Sequence, residues 1–165
     1  MSDLPFAVPG SPSVIVPASS PVDLADIRLL FIEYAAWLGD HLDRERFAIE
    51  LAALPGYYAP PTGGLFLARL GDEAVGCVGI RPLMGDNCEL KRLYTRVPYR
   101  GCGVGRQLLE AAVAAARTAG YAAIRLDTLA SMKEAQALYQ RLGFRDIPAY
   151  WEDPISDMRY LELRL

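Results

Sequence analysis

One histidine and three cysteines are all that the 165 residues offer by way of soft metal ligands. The cysteines, Cys77, Cys88 and Cys102, are odd in number and show no CxxC spacing, which argues against a disulfide framework and against a Cys/His zinc site. A reducing, cytoplasmic setting fits this usage. Basic charge is also scarce: 17 Lys and Arg stand against 20 Asp and Glu, for a net charge of −3. That balance speaks against a nucleic-acid binder and against a protein held on anionic membranes. The longest uncharged stretch, Leu4 to Val22, holds Pro5, Pro9, Pro12, Pro17 and Pro21. Each of these removes a backbone donor and interrupts a helix, so the stretch is not a membrane span. No basic residue precedes an apolar run in the manner of a signal peptide. Residues 1–12 are expected to form a flexible arm, and 13–165 a single domain.

What is present is apolar material in two periods. Val14-Ile15-Val16 is a short β-branched run and the expected first strand. Leu24, Ile27, Phe31, Tyr34 and Leu38 recur at helical spacing over 22–38, and a more charged helix follows over 43–54, ended by Pro55-Gly56. Leu65–Leu70 and Ala74–Ile80, separated by Gly71-Asp72, read as an antiparallel hairpin. The second half alternates: a strand at 88–95, a helix from the Arg100–Gly105 loop to about Ala119, a strand at 123–128, a helix at 132–142, then strands at 144–147 and 158–165. The expected fold class is α/β (α+β), a mixed and mostly antiparallel central sheet flanked by helices. In the 88–95 strand neither parity is cleanly apolar, which predicts a bulge that switches faces midway.

Arg100-Gly101-Cys102-Gly103-Val104-Gly105 sits where that strand gives way to a helix. Glycines leave backbone N–H groups uncovered, and a helix N-terminus adds partial positive charge, so the turn suits phosphate oxygens. Arg96, Arg100 and Arg106 add cations nearby. A P-loop is excluded because Arg106-Gln107 follows the last glycine where Lys and Ser or Thr would be needed. A Rossmann fingerprint is excluded by the G-x-G-x-G spacing and by its late position after a hairpin.

The loop does resemble the acyl-CoA-binding pattern (Q/R)-x-x-G-x-(G/A) of the GNAT (Gcn5-related N-acetyltransferase) superfamily, matched by Arg100, Gly103 and Gly105. Glu89 to Thr95 is similar to the family's preceding strand, and Ala135 to Phe144 to its A-x-x-L-Y-x-x-x-G-F block. The blocks occur in the family's order, and the resemblance covers roughly 13–165. It implies the acyl-CoA N-acyltransferase fold, in which the strands at 88–95 and 123–128 splay apart to admit the pantetheine arm. It also implies acetyl-CoA as co-substrate, with no metal. Diphosphate would rest on the amides of Gly101, Gly103, Val104, Gly105 and Arg106, flanked by Arg100 and Cys102. Leu93, Tyr94 and Thr95 would line the pantetheine, with backbone groups of Leu93 and Thr95 pairing to its amides. A family Asn is replaced here by Met132, and the neighbouring Ser131 is the residue left to contact the cofactor.

For chemistry, the resemblance implies Tyr139 as the acid that reprotonates the departing thiolate, although its stripe (Met132, Ala135, Leu138, Tyr139, Leu142) reads by periodicity as core. Glu89 is the expected general base; the alternatives are a solvated strand-end carboxylate or a partner for Lys91. Glu33 and His41 are weaker choices, better read as a solvent-facing helix charge and a surface or capping residue. Carboxylates (Asp40, Asp43, Glu45, Glu50) and aromatics (Tyr57, Tyr58, Tyr150, Trp151) of the expected acceptor regions suit a cationic amine. The expected activity is acetyl transfer to a primary amine of a small molecule; the alternatives are a protein N-terminus or lysine, or a CoA-binding sensor without turnover. Homodimers are common in the family, and no residue here decides the matter.

Overall fold

A computed structural model describes residues 12–151 and 157–165. The expected arm therefore lies outside the described residues apart from Pro12. Seven strands and four α-helices are described: β1 (Val14–Pro17), α1 (Pro21–Leu38), α2 (Arg44–Ala53), β2 (Gly64–Leu70), β3 (Glu73–Pro82), β4 (Asn87–Thr95), α3 (Val104–Thr118), β5 (Ala123–Leu129), α4 (Lys133–Arg141), β6 (Arg145–Ile147) and β7 (Met158–Arg164). They form one mixed sheet in the order β1-β2-β3-β4-β5-β7-β6. Only β4 and β5 run parallel.

Each face of the sheet carries its own apolar layer. Ile27, Leu30 and Phe31 of α1 pack with Phe47 of α2 and with Tyr58, Leu65, Leu67 and Cys77. On the other face, Leu108, Leu109, Ala112 and Ala116 of α3 pack with Val75, Val78, Ile124, Leu126 and Leu161. Burying such side chains contributes about 1.5–3 kcal/mol each for the larger ones. α1 is apolar nearly all round, with Val22, Leu29 and Ile32 exposed. Its helical spacing was legible, whereas the face it buries was less so: Leu30, outside the expected apolar set, is fully covered.

Two features of β4 place the site. Pairing with β5 is confined to Asn87–Glu89 against Ala123–Arg125, so the strands separate from Leu90 onward. The expected splay is present. The expected bulge is present too: Cys77 faces Tyr94 while Gly79 faces Lys91, which inserts one extra residue on the β4 side. Arg92 falls there with φ +59°, a left-handed conformation that costs a side-chain-bearing residue about 1–2 kcal/mol. Its side chain offsets that cost. The guanidinium forms a paired bond to Glu50 on α2 (Nη2–Oε2 2.7 Å, Nε–Oε1 3.2 Å) and lies 5.7 Å and 5.4 Å from the ring centres of Tyr34 and Phe47.

Candidate active site

The first turn of α3 leaves its backbone donors bare. Its cap residue is Gly103 (φ +84°), which supplies no side-chain hydrogen bond. The first intrahelical donor is the Gln107 N–H, bonded to the Gly103 carbonyl at 3.1 Å. The amides of Val104, Gly105 and Arg106 precede it and have no carbonyl four residues back within the helix. A side chain at Gly103 would have to adopt a conformation that only glycine takes readily, and no atom lies within 4 Å of where its Cβ would be. The space beyond the amides is open.

A cavity of about 950 Å³ lies against this helix start. Leu93, Tyr94, Thr95, Arg100, Gly101, Gly103, Val104, Gly105, Arg106 and Ser131 all line it, so ten of the residues expected from sequence meet in one place. Cys102 is exposed and does not line it. Arg96 also turns elsewhere: it pairs with Glu33 (2.7 Å) and Glu73 (3.3 Å). The expectation that it adds charge to the opening is thus corrected, because nearby carboxylates on α1 and β3 claim it, and Glu33 is likewise committed to this ion pair. Arg100 is held in the cavity wall, its Nε donating to the Thr95 carbonyl at 2.9 Å and its guanidinium 4.9 Å from the Trp37 ring centre. Lys133 and Arg141 of α4 line the cavity as well and have no ion-pair partner among the described residues. Helical spacing around the Tyr139 block was the signal that could have found them.

The β4 backbone faces the same space. The Arg96 N–H donates to the Val75 carbonyl at 2.9 Å, so Arg96 points its backbone at β3. Alternation then turns the Thr95 N–H the other way, into the gap that β5 has left.

A second cavity, about 1130 Å³, shares Trp37, Leu93, Met132 and Ala135 with the first. Tyr139, Asp127, Lys91, Arg92, Arg81, Glu50 and Tyr150 line it, and so do His41 and Tyr57. Tyr139 is 6% exposed, its ring 5.6 Å from that of Phe144. Core tyrosine and cavity-wall tyrosine therefore describe one and the same residue. Burial, with the negative charge of Asp127 adding to it, pushes its phenol well above the ordinary range, so it keeps its proton at neutral pH.

Glu89 is not a solvated strand end. It is fully buried, with Lys91 Nζ at 2.9 Å and Arg81 Nη2 at 3.2 Å, and it accepts a hydrogen bond from the Tyr150 hydroxyl at 3.2 Å. The partnership with Lys91 is the alternative that holds. Lys91 also donates to Asp127 Oδ1 at 3.1 Å, while Oδ2 of Asp127 has no hydrogen-bond partner among the described residues. Asp127 was missed from sequence. Its signal was parity: Ile124 and Leu126 are buried, so Asp127 on β5 takes the other face. Glu50 is pushed up by burial, yet the hydrogen bonds and charge of Arg92 outweigh this and hold its carboxyl below the usual value. Among the acidic residues of the expected acceptor region, Asp40 pairs with Arg44 and Asp43 with Arg46 at the surface.

Bare donors beside a gap in a sheet, with a second cavity opening past them, are the means of an acyl-CoA-dependent acyltransferase. Comparison with known proteins agrees. The model of the acetyltransferase (GNAT) family matches residues 27–144, and the chain belongs to that family. An uncharacterized N-acetyltransferase of Schizosaccharomyces pombe is 36% identical over 149 residues, covering 88% of this chain and 90% of its own. An IAA acetyltransferase of Azospirillum brasilense is 33% identical over 150 residues, 88% of this chain and 95% of its own. Among solved structures, a GNAT family acetyltransferase from Elizabethkingia anophelis with acetyl-CoA bound has a TM-score of 0.64 at 26% identity, covering 93% of this chain and 98% of that one. No helix among the described residues is long and apolar enough to cross a membrane.

Proposed function

We propose that this acetyltransferase moves the acetyl group of acetyl-CoA to the primary amine of a small molecule. The observation that carries this reading is the meeting of the two cavities at Leu93, Met132 and Ala135, with Tyr139 and Asp127 on the wall of the second. The residues fit the donor. The bare amides of Val104, Gly105 and Arg106 would hold its diphosphate, Lys133 and Arg141 would add charge, and the gap-facing groups of Leu93 and Thr95 would take the pantetheine amides. Acetyl-CoA supplies an activated acyl carbon.

The chain's own residues would manage the protons. A lysine-like amine, with a pKa of about 10.4, must be deprotonated at a cost of roughly 4 kcal/mol at pH 7. Asp127 offers its free Oδ2 to the ammonium and accepts one proton. The amine nitrogen then bonds to the acyl carbon and the carbon–sulfur bond breaks. Tyr139 gives its proton to the sulfur and regains one from the nitrogen as the amide forms. One proton is left over, and it is the one on Asp127. Glu89 has no surface on the cavity and reaches it through Lys91, Arg81 and the Tyr150 hydroxyl. We assign direct acceptance to Asp127 and give Glu89 the task of holding those three groups in place.

Release of CoASH from acetyl-CoA with a panel of small amines and a panel of N-terminal peptides tests the reading. Turnover confined to peptides overturns the small-molecule assignment. Tyr139→Phe is expected to lower kcat about 100-fold with little change in acetyl-CoA affinity. Asp127→Asn is expected to lower kcat/KM for the amine by a similar factor, the loss shrinking as pH rises and the free amine becomes plentiful. A pH-independent loss would remove Asp127 as the proton acceptor.

A further inference from the structure

We infer that the acceptor is a monoamine carried on an apolar, preferably aromatic, body, and that an acceptor bearing a free carboxylate is selected against. The inference rests on the reading of the second cavity as the amine site and names the class of amine.

The floor of that cavity has already spent its cations. Arg92 is bound to Glu50 at 2.7 Å, Arg81 to Glu89 at 3.2 Å, and Lys91 to both Glu89 at 2.9 Å and Asp127 at 3.1 Å. The remaining lining arginine, Arg46, is paired with Asp43 at the surface. A carboxylate reaching this floor would find no vacant lysine or arginine among the described residues, and taking a charge out of water without a partner is strongly unfavourable. Two of the phenols are committed in the same way: Tyr58 donates to Glu50 at 2.6 Å and Tyr150 to Glu89 at 3.2 Å. With their hydroxyls engaged, Tyr58 and Tyr150 offer the cavity chiefly ring carbon. Among the charged groups of this floor, the atom left open among the described residues is Oδ2 of Asp127, and an ammonium group matches it.

The mouth of the cavity points the same way. Ten large hydrophobic side chains are exposed among the described residues, and five of them, Trp37, Ile49, Tyr57, Met84 and Trp151, line this cavity. Tyr57 is 79% exposed and Met84 62%. Half of the exposed large apolar side chains gather around this one opening, with Val22, Leu29 and Ile32 on the outer face of α1, and such a gathering at a cavity mouth marks a binding surface. A volume of about 1130 Å³ is far more than a short polar amine fills.

The decisive pair of probes is 2-phenylethylamine and phenylalanine, which differ by the carboxylate alone, with ethanolamine as the short polar control. The first is expected to be acetylated with kcat/KM at least about tenfold above either of the others. Both tryptophans of the chain, Trp37 and Trp151, stand at the mouth, so their emission reports binding without turnover. In the presence of CoA, 2-phenylethylamine should shift it and phenylalanine should not. A Tyr57→Ser, Met84→Ser double variant, both sites being exposed, is expected to raise KM for 2-phenylethylamine about tenfold while KM for acetyl-CoA stays put. Phenylalanine or ethanolamine used as well as 2-phenylethylamine overturns the inference. If no amine is acetylated, the reading of the site as an amine acetyltransferase centre fails instead, and the emission titration still decides the ligand class: no shift with 2-phenylethylamine, or an equal shift with phenylalanine, overturns it.

Discussion

Helices α1 and α3 begin in opposite ways. At the start of α1, Ser20 accepts from the Asp23 N–H at 3.1 Å, Asp23 accepts from the Ser20 N–H at 3.2 Å, and Pro21 fills a position where no donor is needed. Asp23 is tied in turn to Arg69 on β2 at 2.7 Å. α2 follows the same habit, with Asp43 accepting from the Arg46 N–H at 3.0 Å. At the start of α3 there is a glycine cap and no side chain to satisfy anything. A glycine cap in place of serine forgoes only roughly a few tenths of a kcal/mol. The contrast teaches how to separate framework from site: where side chains close the backbone donors the helix is structure, and where glycines leave them free the donors are kept for something that arrives from outside.

The sharpest way to break this comparison is to give α3 the acid that α1 has. Gly105 has room for a Cβ, 3.6 Å from Leu138 and 3.8 Å from Thr95, so Gly105→Asp should fold. A carboxylate in a first helical turn is stabilising, and the thermal midpoint without ligand should hold or rise. Coenzyme A affinity, measured by calorimetry, should nevertheless fall at least about 100-fold, or roughly 2.7 kcal/mol. Unchanged affinity would show that these amides hold no diphosphate. The converse change, Ser20→Ala, should cost about 1 kcal/mol of stability, a shift of about 2–4 °C in a chain of this size, with coenzyme A affinity unmoved. Smallest of the three is an effect of pH. The hydrogen bond from Arg69, and then those of Ser20, hold the Asp23 carboxyl down to about 2. Because the folded value lies below the ordinary 3.8, the stabilisation is complete above about pH 4 and is lost as pH falls toward 2. The start of α3 has no such group. Urea midpoints at pH 6 and pH 3 should therefore differ less in Asp23→Asn than in the parent chain.

Much of the α3 side of the comparison was legible in the sequence, because backbone geometry is written locally. Glycines between a strand and a helix, and broken parity along β4, each announce themselves within a few residues. The parity argument found the bulge before its centre, Arg92, was seen. What was not legible is what depends on partners from distant elements. Glu89 reads as a base or a wet strand end until Arg81 from β3, Lys91 and Tyr150 are seen to enclose it. Arg92 and Glu50 lie 42 positions apart, and neither announces the other. Asp127 was overlooked for a related reason: a single carboxylate on a short strand carries no pattern of its own, and only the parting of β4 from β5 puts it on a cavity wall.

That parting has a further consequence. A sheet opened down its middle is a frame missing one rung, and on the proposed reading the donor's amide-bearing arm would be the rung that completes it. On that reading the unliganded protein is the more easily unzipped form, and its lifetime against proteases should lengthen with the supply of acyl donor around it.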